Sequence, residues 1–254
     1  NGVIGKETAV RYEMMLPYQI RQAIEEKWPV VLPLGVLEYH SEHLGVGMDT
    51  FAVDRSLALL EKEMNLVVLP AFYYGSASYC VAPAKGNGSV QVESENLIPF
   101  ARDLFKSLLR IGFRNIHFIV HHQSENFADG MPTDLAFKTA AKQAIFEQLA
   151  TERGEGWWGD ESMADYYARH GSGDNPFNWI KGHPLMDQDI IARYDFDHAG
   201  IGETSLMMAL CPESVDMARF DQSKWFSKTA KDASPEYGRE AVRMILERLR
   251  RILK

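Results

Sequence analysis

Three short apolar runs set the strongest limit on what this chain can fold into. They are Val30-Val31-Leu32-Pro33-Leu34, Leu66-Val67-Val68-Leu69 and Ile116-His117-Phe118-Ile119-Val120. Brief runs rich in Val and Ile suit strands of a parallel sheet covered on both faces. Helical patterns lie between them. Residues 52–64 place Leu57, Leu60 and Met64 on one stripe. Residues 97–111 align Leu97, Ala101, Leu104, Phe105, Leu108 and Leu109, with Gly112 as a stop. Residues 136–150 and 240–253 are two further amphipathic segments. Strands alternating with helices imply βαβ crossovers, hence an α/β fold of three α/β/α layers around a mainly parallel sheet.

A chain of 254 residues, 46% apolar and 24% charged, can bury a core as one domain over 1–254 without disulfides or a structural metal. Cys80 and Cys211 are far apart and form no CxxC pair, so neither a Cys-type zinc site nor a disulfide framework is expected. A reducing, cytoplasmic location follows as the expectation. The net charge is −8, and the modest basic cluster of Arg248, Arg250 and Arg251 reads as a helix face, which argues against nucleic-acid partners. No apolar run approaches the roughly 20 residues of a bilayer span and no signal-peptide pattern is visible, so no membrane association is expected. No G-x-G-x-x-G follows a candidate strand, which weighs against a dinucleotide enzyme. One segment breaks the alternation. Residues 151–193 carry Gly154, Gly156, Trp157, Trp158, Gly159, Gly171, Gly173, Pro176 and Trp179, which reads as a lid insertion over the site.

In open parallel sheets, ligands gather at the carboxyl ends of the strands. The first strand leads into Glu38-Tyr39-His40-Ser41-Glu42-His43, with Asp49 at the head of the next helix. Carboxylate and imidazole together suit Zn²⁺, Mn²⁺ or Fe²⁺. A single Glu or His in a loop is usually solvated or structural; this density leaves a metal site and a polar loop as the two readings. The order is neither HExxH nor HxxEH. The third strand delivers His121-His122-Gln123-Ser124-Glu125-Asn126 to the same crevice, which makes a dinuclear site plausible. A third segment, Asp197-His198-Ala199-Gly200-Ile201-Gly202-Glu203-Thr204-Ser205, enters a helix. There Glu203 and Thr204 serve the first turn, or His198 is a proton-transfer group.

Together these segments resemble the creatininase (creatinine amidohydrolase) family. The family's E-x-H-G-x-H-L-x-x-x-x-D is matched from Glu38 to Asp49 except that Ser41 replaces glycine. Its N-G-H-x-E-N or N-G-H-G-G-N falls on His121 to Asn126, and its H-[AG]-G-x-x-E-T-S is matched in full from His198 to Ser205. The resemblance implies an α/β/α homo-oligomer, often a hexamer, with one or two divalent ions per chain, Zn²⁺ or Mn²⁺. The implied reaction is hydrolysis of a C–N bond in a small cyclic amide or formamide by metal-activated water. It puts Glu38 and Asp49 on one metal, His40, Asp49 and Glu125 on the other, and Asp49 between them. His198, supported by Asp197, would protonate the leaving nitrogen, and Trp179 and Tyr194 stand as the aromatic residues closing over substrate. His43 drops to a structural role.

The second motif departs from the pattern. The family's metal-binding histidine falls on Gln123. A carboxamide oxygen is a harder, weaker ligand that favours Mn²⁺ or Mg²⁺ over Zn²⁺. His122, one residue away, is expected to point elsewhere. Three arrangements stay open: an altered two-metal site containing Gln123, a one-metal enzyme using His40, Asp49 and Glu125, and a binding protein of the same fold that has lost the chemistry.

Overall fold

The three apolar runs are strands, and a fourth joins them. A computed structural model describes residues 11–170 and 175–254. Strands β1 (Val30–Leu34), β2 (Val67–Val68), β3 (Ile116–Val120) and β4 (Ile180–Pro184) form one parallel sheet in the order β2-β1-β3-β4. β1 and β3 run in register from Val30 opposite Ile116 to Leu34 opposite Val120. Alternation along the strands sends Val30, Leu32, Leu34, Ile116, Phe118 and Val120 into one apolar cluster, and Val31 and Ile119 into another. Both faces must therefore be covered.

Helices α1 (Pro17–Glu25), α2 (Met48–Leu60), α3 (Ser94–Ile111), α4 (Pro132–Arg153), α5 (Tyr166–His170), α6 (Gln188–Ile191), α7 (Ile201–Leu210) and α8 (Pro235–Ile252) complete the fold. α3 and α4 pack together over one face through Phe105, Leu109, Phe137 and Ile145. α2, α7 and α8 cover the other through Leu57, Leu206, Ile245 and Leu249. This is the expected three-layer α/β/α arrangement.

From β1 the chain moves outward to β2, then returns across β1 to β3. The strand order reverses between β1 and β3, and a crevice opens there at their carboxyl ends. Gly35, directly after β1, packs against the start of α2. A Cβ at Gly35 would lie 2.3 Å from Thr50 Oγ1 and 2.6 Å from Thr50 N. Its absence lets α2 begin against the end of β1, which brings Asp49 beside Glu38.

The described part of residues 151–193 lies differently from the expected lid. α4 runs on to Arg153, and the segment then supplies α5, β4 and α6. Trp157, Phe177 and Trp179 pack against the cluster beneath α3 and α4. Trp179 immediately precedes β4, so it sits at the amino-terminal edge of the sheet, away from the crevice. These aromatic side chains are packing for a sheet edge. Gly171 and Gly173 lie outside the described residues.

Candidate metal centre

Four chain segments converge on the crevice. The loop after β1 brings Glu38 and His40, the first turn of α2 brings Asp49, the end of β3 brings His121 and His122, and the first turn of α7 brings Glu203; all are buried. Two groups share Asp49. Glu38, Asp49 and His122 form one, and His40, Asp49 and Glu203 the other, each with donor atoms within 4.8 Å of one another. His122 Nδ1 is 3.3 Å from both Glu38 Oε2 and Asp49 Oδ2. His40 Nε2 is 3.6 Å from Asp49 Oδ1 and 3.5 Å from Glu203 Oε2.

These separations decide what the groups fit. A charge-assisted N–H···O bond is shorter, about 2.7–2.9 Å. Two ligands of a tetrahedral ion with bonds of about 2.1 Å sit about 3.4 Å apart. His40 Nδ1 lies 3.0 Å from the Glu38 carbonyl oxygen, which only accepts, so Nδ1–H donates and the Nε2 lone pair faces the two carboxylates. His40 Nε2 and Asp49 Oδ2 are buried without a hydrogen-bond partner. A lone pair facing carboxylates is unfavourable unless a cation or a proton lies between them. The donor set fits two divalent cations, with one Asp49 oxygen turned to each.

Without metal, protons fill that role. Burial opposes charging His40, but Asp49, Glu203 and Glu38 outweigh it and the pKa is pushed up to about 10. Burial is likewise outweighed at His122 by Asp49 and Glu38, again to about 10. Asp49 is held well below the usual carboxylate range because His40 and His122 overcome its burial. Glu203 is lowered against its burial by His40, His121 and His198.

The expected site residues divide. Glu38, His40 and Asp49 are brought together, Glu125 is in neither group, and Gln123 lines the cleft half-buried. Gln123 turns left-handed (φ 48°, ψ 31°) directly after His122. That turn breaks the strand alternation on which His122 was expected to point away. Glu125 is exposed at the mouth of the cleft, with Asn126 Nδ2 donating to it at 3.1 Å. Glu203 stands beside His40 and Asp49, where Glu125 was expected. The third motif contains it, and its Oε2 also accepts from the Ala199 N–H at 2.7 Å, so it serves the start of α7 as well.

His198 donates from Nε2 to the Tyr39 carbonyl oxygen at 2.9 Å and stacks on His40 with ring centres 4.3 Å apart. Its Nδ1 therefore carries the lone pair. Asp197 does not support it as expected. Its carboxylate accepts from the N–H groups of Gly200, Gly202 and Glu203 at 3.2, 2.9 and 3.2 Å, capping α7. Burial and the charge of Glu203 push its pKa up to about 6. Tyr194 is buried, donates to the Gly202 carbonyl at 2.7 Å and stacks on Tyr237, bracing α7. Trp179 lies under the Arg114 guanidinium, 4.6 Å from its ring centre. His43 ties the first segment to the third through Thr204 Oγ1 at 2.9 Å.

The cleft above the two groups encloses about 500 Å³. Its aromatic wall is Trp225, Phe226 and Phe196, in place of Trp179 and Tyr194. Trp225 is 82% exposed. Nothing in the three motifs pointed to the segment holding it, and an exposed Trp beside a polar crevice is visible only after folding.

A family model described as creatininase, creatinine amidohydrolase, matches residues 13–247. A creatinine amidohydrolase of Pseudomonas putida is 22% identical over 195 residues, 75% of this chain and 67% of that protein. The solved structure of a manganese form of creatininase superposes with a TM-score of 0.68 at 18% identity, covering 96% of this chain and 99% of that one. A glutamate-to-glutamine creatininase variant of Zn–Zn type gives 0.66 at 18% identity, covering 96% and 98%. At that identity the structural likeness shows the fold alone. The family model spans nearly the whole chain and includes all three motifs, and on that ground the chain belongs to the creatininase family, hydrolases of non-peptide C–N bonds.

Proposed function

We propose that this chain hydrolyses a C–N bond of a small cyclic amide or formamide at a centre of two divalent cations, Zn²⁺ or Mn²⁺. The carrying observation is Asp49 shared between two ligand groups at the point where the sheet order reverses. Glu38, Asp49 and His122 would hold one cation, and His40, Asp49 and Glu203 the other. Mixed imidazole and carboxylate donors suit both metals, and His122 removes the bias to harder ions that Gln123 implied. The reading as a binding protein without chemistry drew its best support from Gln123, and His122 beside Glu38 and Asp49 weakens it.

Bound there, the cations supply Lewis acidity toward an amide oxygen and an ionisable water near neutral pH. The protein's own groups do the rest. The Tyr39 carbonyl fixes the ring of His198 and leaves Nδ1 to carry a proton to the departing nitrogen. Trp225 and Phe226 offer a flat substrate an apolar face. A homo-oligomer belongs to this reading.

Metal analysis combined with hydrolysis assays on a panel of lactams and formamides tests the proposal. Two equivalents per chain and turnover of at least one panel member are expected. A purified chain that binds no divalent metal at stoichiometric level refutes it. His198→Ala is expected to lower turnover with both metals retained.

A further inference from the structure

β3 ends in two adjacent histidines, which reach different halves of the centre. His122 goes to Glu38 and Asp49. The His121 ring is 1% exposed, lies edge-on to Phe196 with centres 5.7 Å apart, and puts Nε2 3.3 Å from Glu203 Oε1. Neither of its ring nitrogens makes a hydrogen bond of ordinary geometry. A buried imidazole used only for packing leaves two desolvated polar atoms uncompensated, and an apolar ring would serve better.

Glu203 explains the imidazole. Its Oε2 accepts from the Ala199 N–H at 2.7 Å and lies 3.5 Å from His40 Nε2, whereas its Oε1 faces His121. One backbone donor leaves a carboxylate free to rotate about its last torsion, which is broad. A second donor at the other oxygen would fix the plane, and His121 Nε2, 3.3 Å away, needs a shift of only a few tenths of an ångström to become one. On the two-cation reading above, we propose that His121 is a positioning residue for Glu203. It holds Oε1 so that Oε2 stays aimed at the cation shared with His40 and Asp49. Hydrogen-bond partners of ligating carboxylates change metal affinity by about 10–100-fold.

The test measures each Zn²⁺ equivalent of the whole chain by competition with a chromophoric chelator. Glu203→Gln serves as the marker of the equivalent that depends on Glu203. His121→Phe is expected to keep its circular dichroism and melting behaviour and to lose about 10–100-fold in that same equivalent. The equivalent held by Glu38, Asp49 and His122 is expected to stay unchanged. His121→Gln, whose amide nitrogen can reach the same oxygen, is expected to recover most of the loss. Two wild-type equivalents in folded His121→Phe overturn the proposal, as do equal losses at both sites or a failure of His121→Gln to rescue. Should His121→Phe not fold, His121→Asn replaces it, being polar but too short to reach Oε1. A wild-type chain that binds no cation refutes the two-cation reading itself. Two cations with His121→Phe unaltered refute only the role of His121.

Discussion

Metal loading should expel protons, and the number follows from the site. His40 and His122 are each pushed up to about 10 in the metal-free chain. At pH 8 each is then about 99% protonated. A cation needs their lone pairs, so each binding event releases about one proton from its imidazole, about two for the filled centre. Apparent affinity at each site should therefore rise about tenfold per pH unit between roughly pH 7 and 9. The stability of the metal-free chain runs the opposite way. Both folded pKa values lie above the ordinary value of 6.5. Their contribution is complete below about 6.5 and is lost as pH rises through about 10, at about 1.4 kcal/mol per pH unit for each histidine. Calorimetric titration with Zn²⁺ at pH 8, in two buffers of different ionisation enthalpy, counts the protons. At least two per chain are expected, and His122→Ala should remove one proton along with one metal equivalent. Less than one proton released on full loading would sink the assignment of His40 and His122 as ligands.

Three other outcomes follow from the same geometry. Glu203→Gln should lose the cation shared with His40 and at least about 10²-fold in turnover, a loss of the size seen when one charge-stabilising group is removed, whereas Glu125→Gln should keep both metals; metal analysis that reverses this pair would restore Glu125 to the site. Trp225→Ala should raise KM by up to about tenfold with kcat nearly unchanged, the size of one aromatic contact, and an unchanged KM removes Trp225 from the substrate wall. The pair of buried His117 and half-buried His183, whose facing nitrogens are 3.0 Å apart, is held neutral by desolvation, with pKa values pushed down to about 3 and about 4. Because these lie below the unfolded value, stability is full above about pH 6.5 and falls as pH drops toward 4, by about 1.4 kcal/mol per unit for each histidine. His117→Gln should flatten that acid limb in urea unfolding, and an unaltered slope refutes the cause.

Fold class was legible because β1, β2 and β3 are dense apolar runs and α3 carries a clear stripe. β4 was not. Of Ile180-Lys181-Gly182-His183-Pro184 only Ile180 is fully buried, so this edge strand carries no apolar run. The site was legible where chemistry and spacing coincide, at Glu38, His40 and Asp49. It was incomplete at Glu203, whose place in the first turn of a helix has an adequate local explanation in the helix dipole. That residue also stands beside His40 and Asp49, and only the fold shows this. The aromatic wall could not be read at all, since Trp225 shares no motif with the metal ligands.

The left-handed turn at Gln123 has counterparts elsewhere, and together they organise the whole centre. Among the described non-glycine residues, positive φ occurs at Lys27, Ser41, Ser78, Gln123 and Ala199. Ser41, Gln123 and Ala199 directly follow His40, His122 and His198. Left-handed backbone costs an L-residue about 1–2 kcal/mol and persists only where the surroundings enforce it, which is why it gathers at functional sites. Here it does one job three times: the chain reverses immediately after a histidine, so the ring stays in the crevice while the backbone leaves. The family motifs place Gly, or Ala/Gly, after the histidine at the first and third of these positions, and N-G-H-G-G-N does so at the second. Placing His122 on that motif histidine puts Gln123 on the glycine and leaves Ser124 where the alternative motif has glutamate. On the two-cation reading proposed above, the carboxylate that β3 does not bring is Glu203 of α7, and the imidazole is His122. A register set by the backbone each position must adopt, rather than by the nearest glutamate, would have found the same ligands from the sequence.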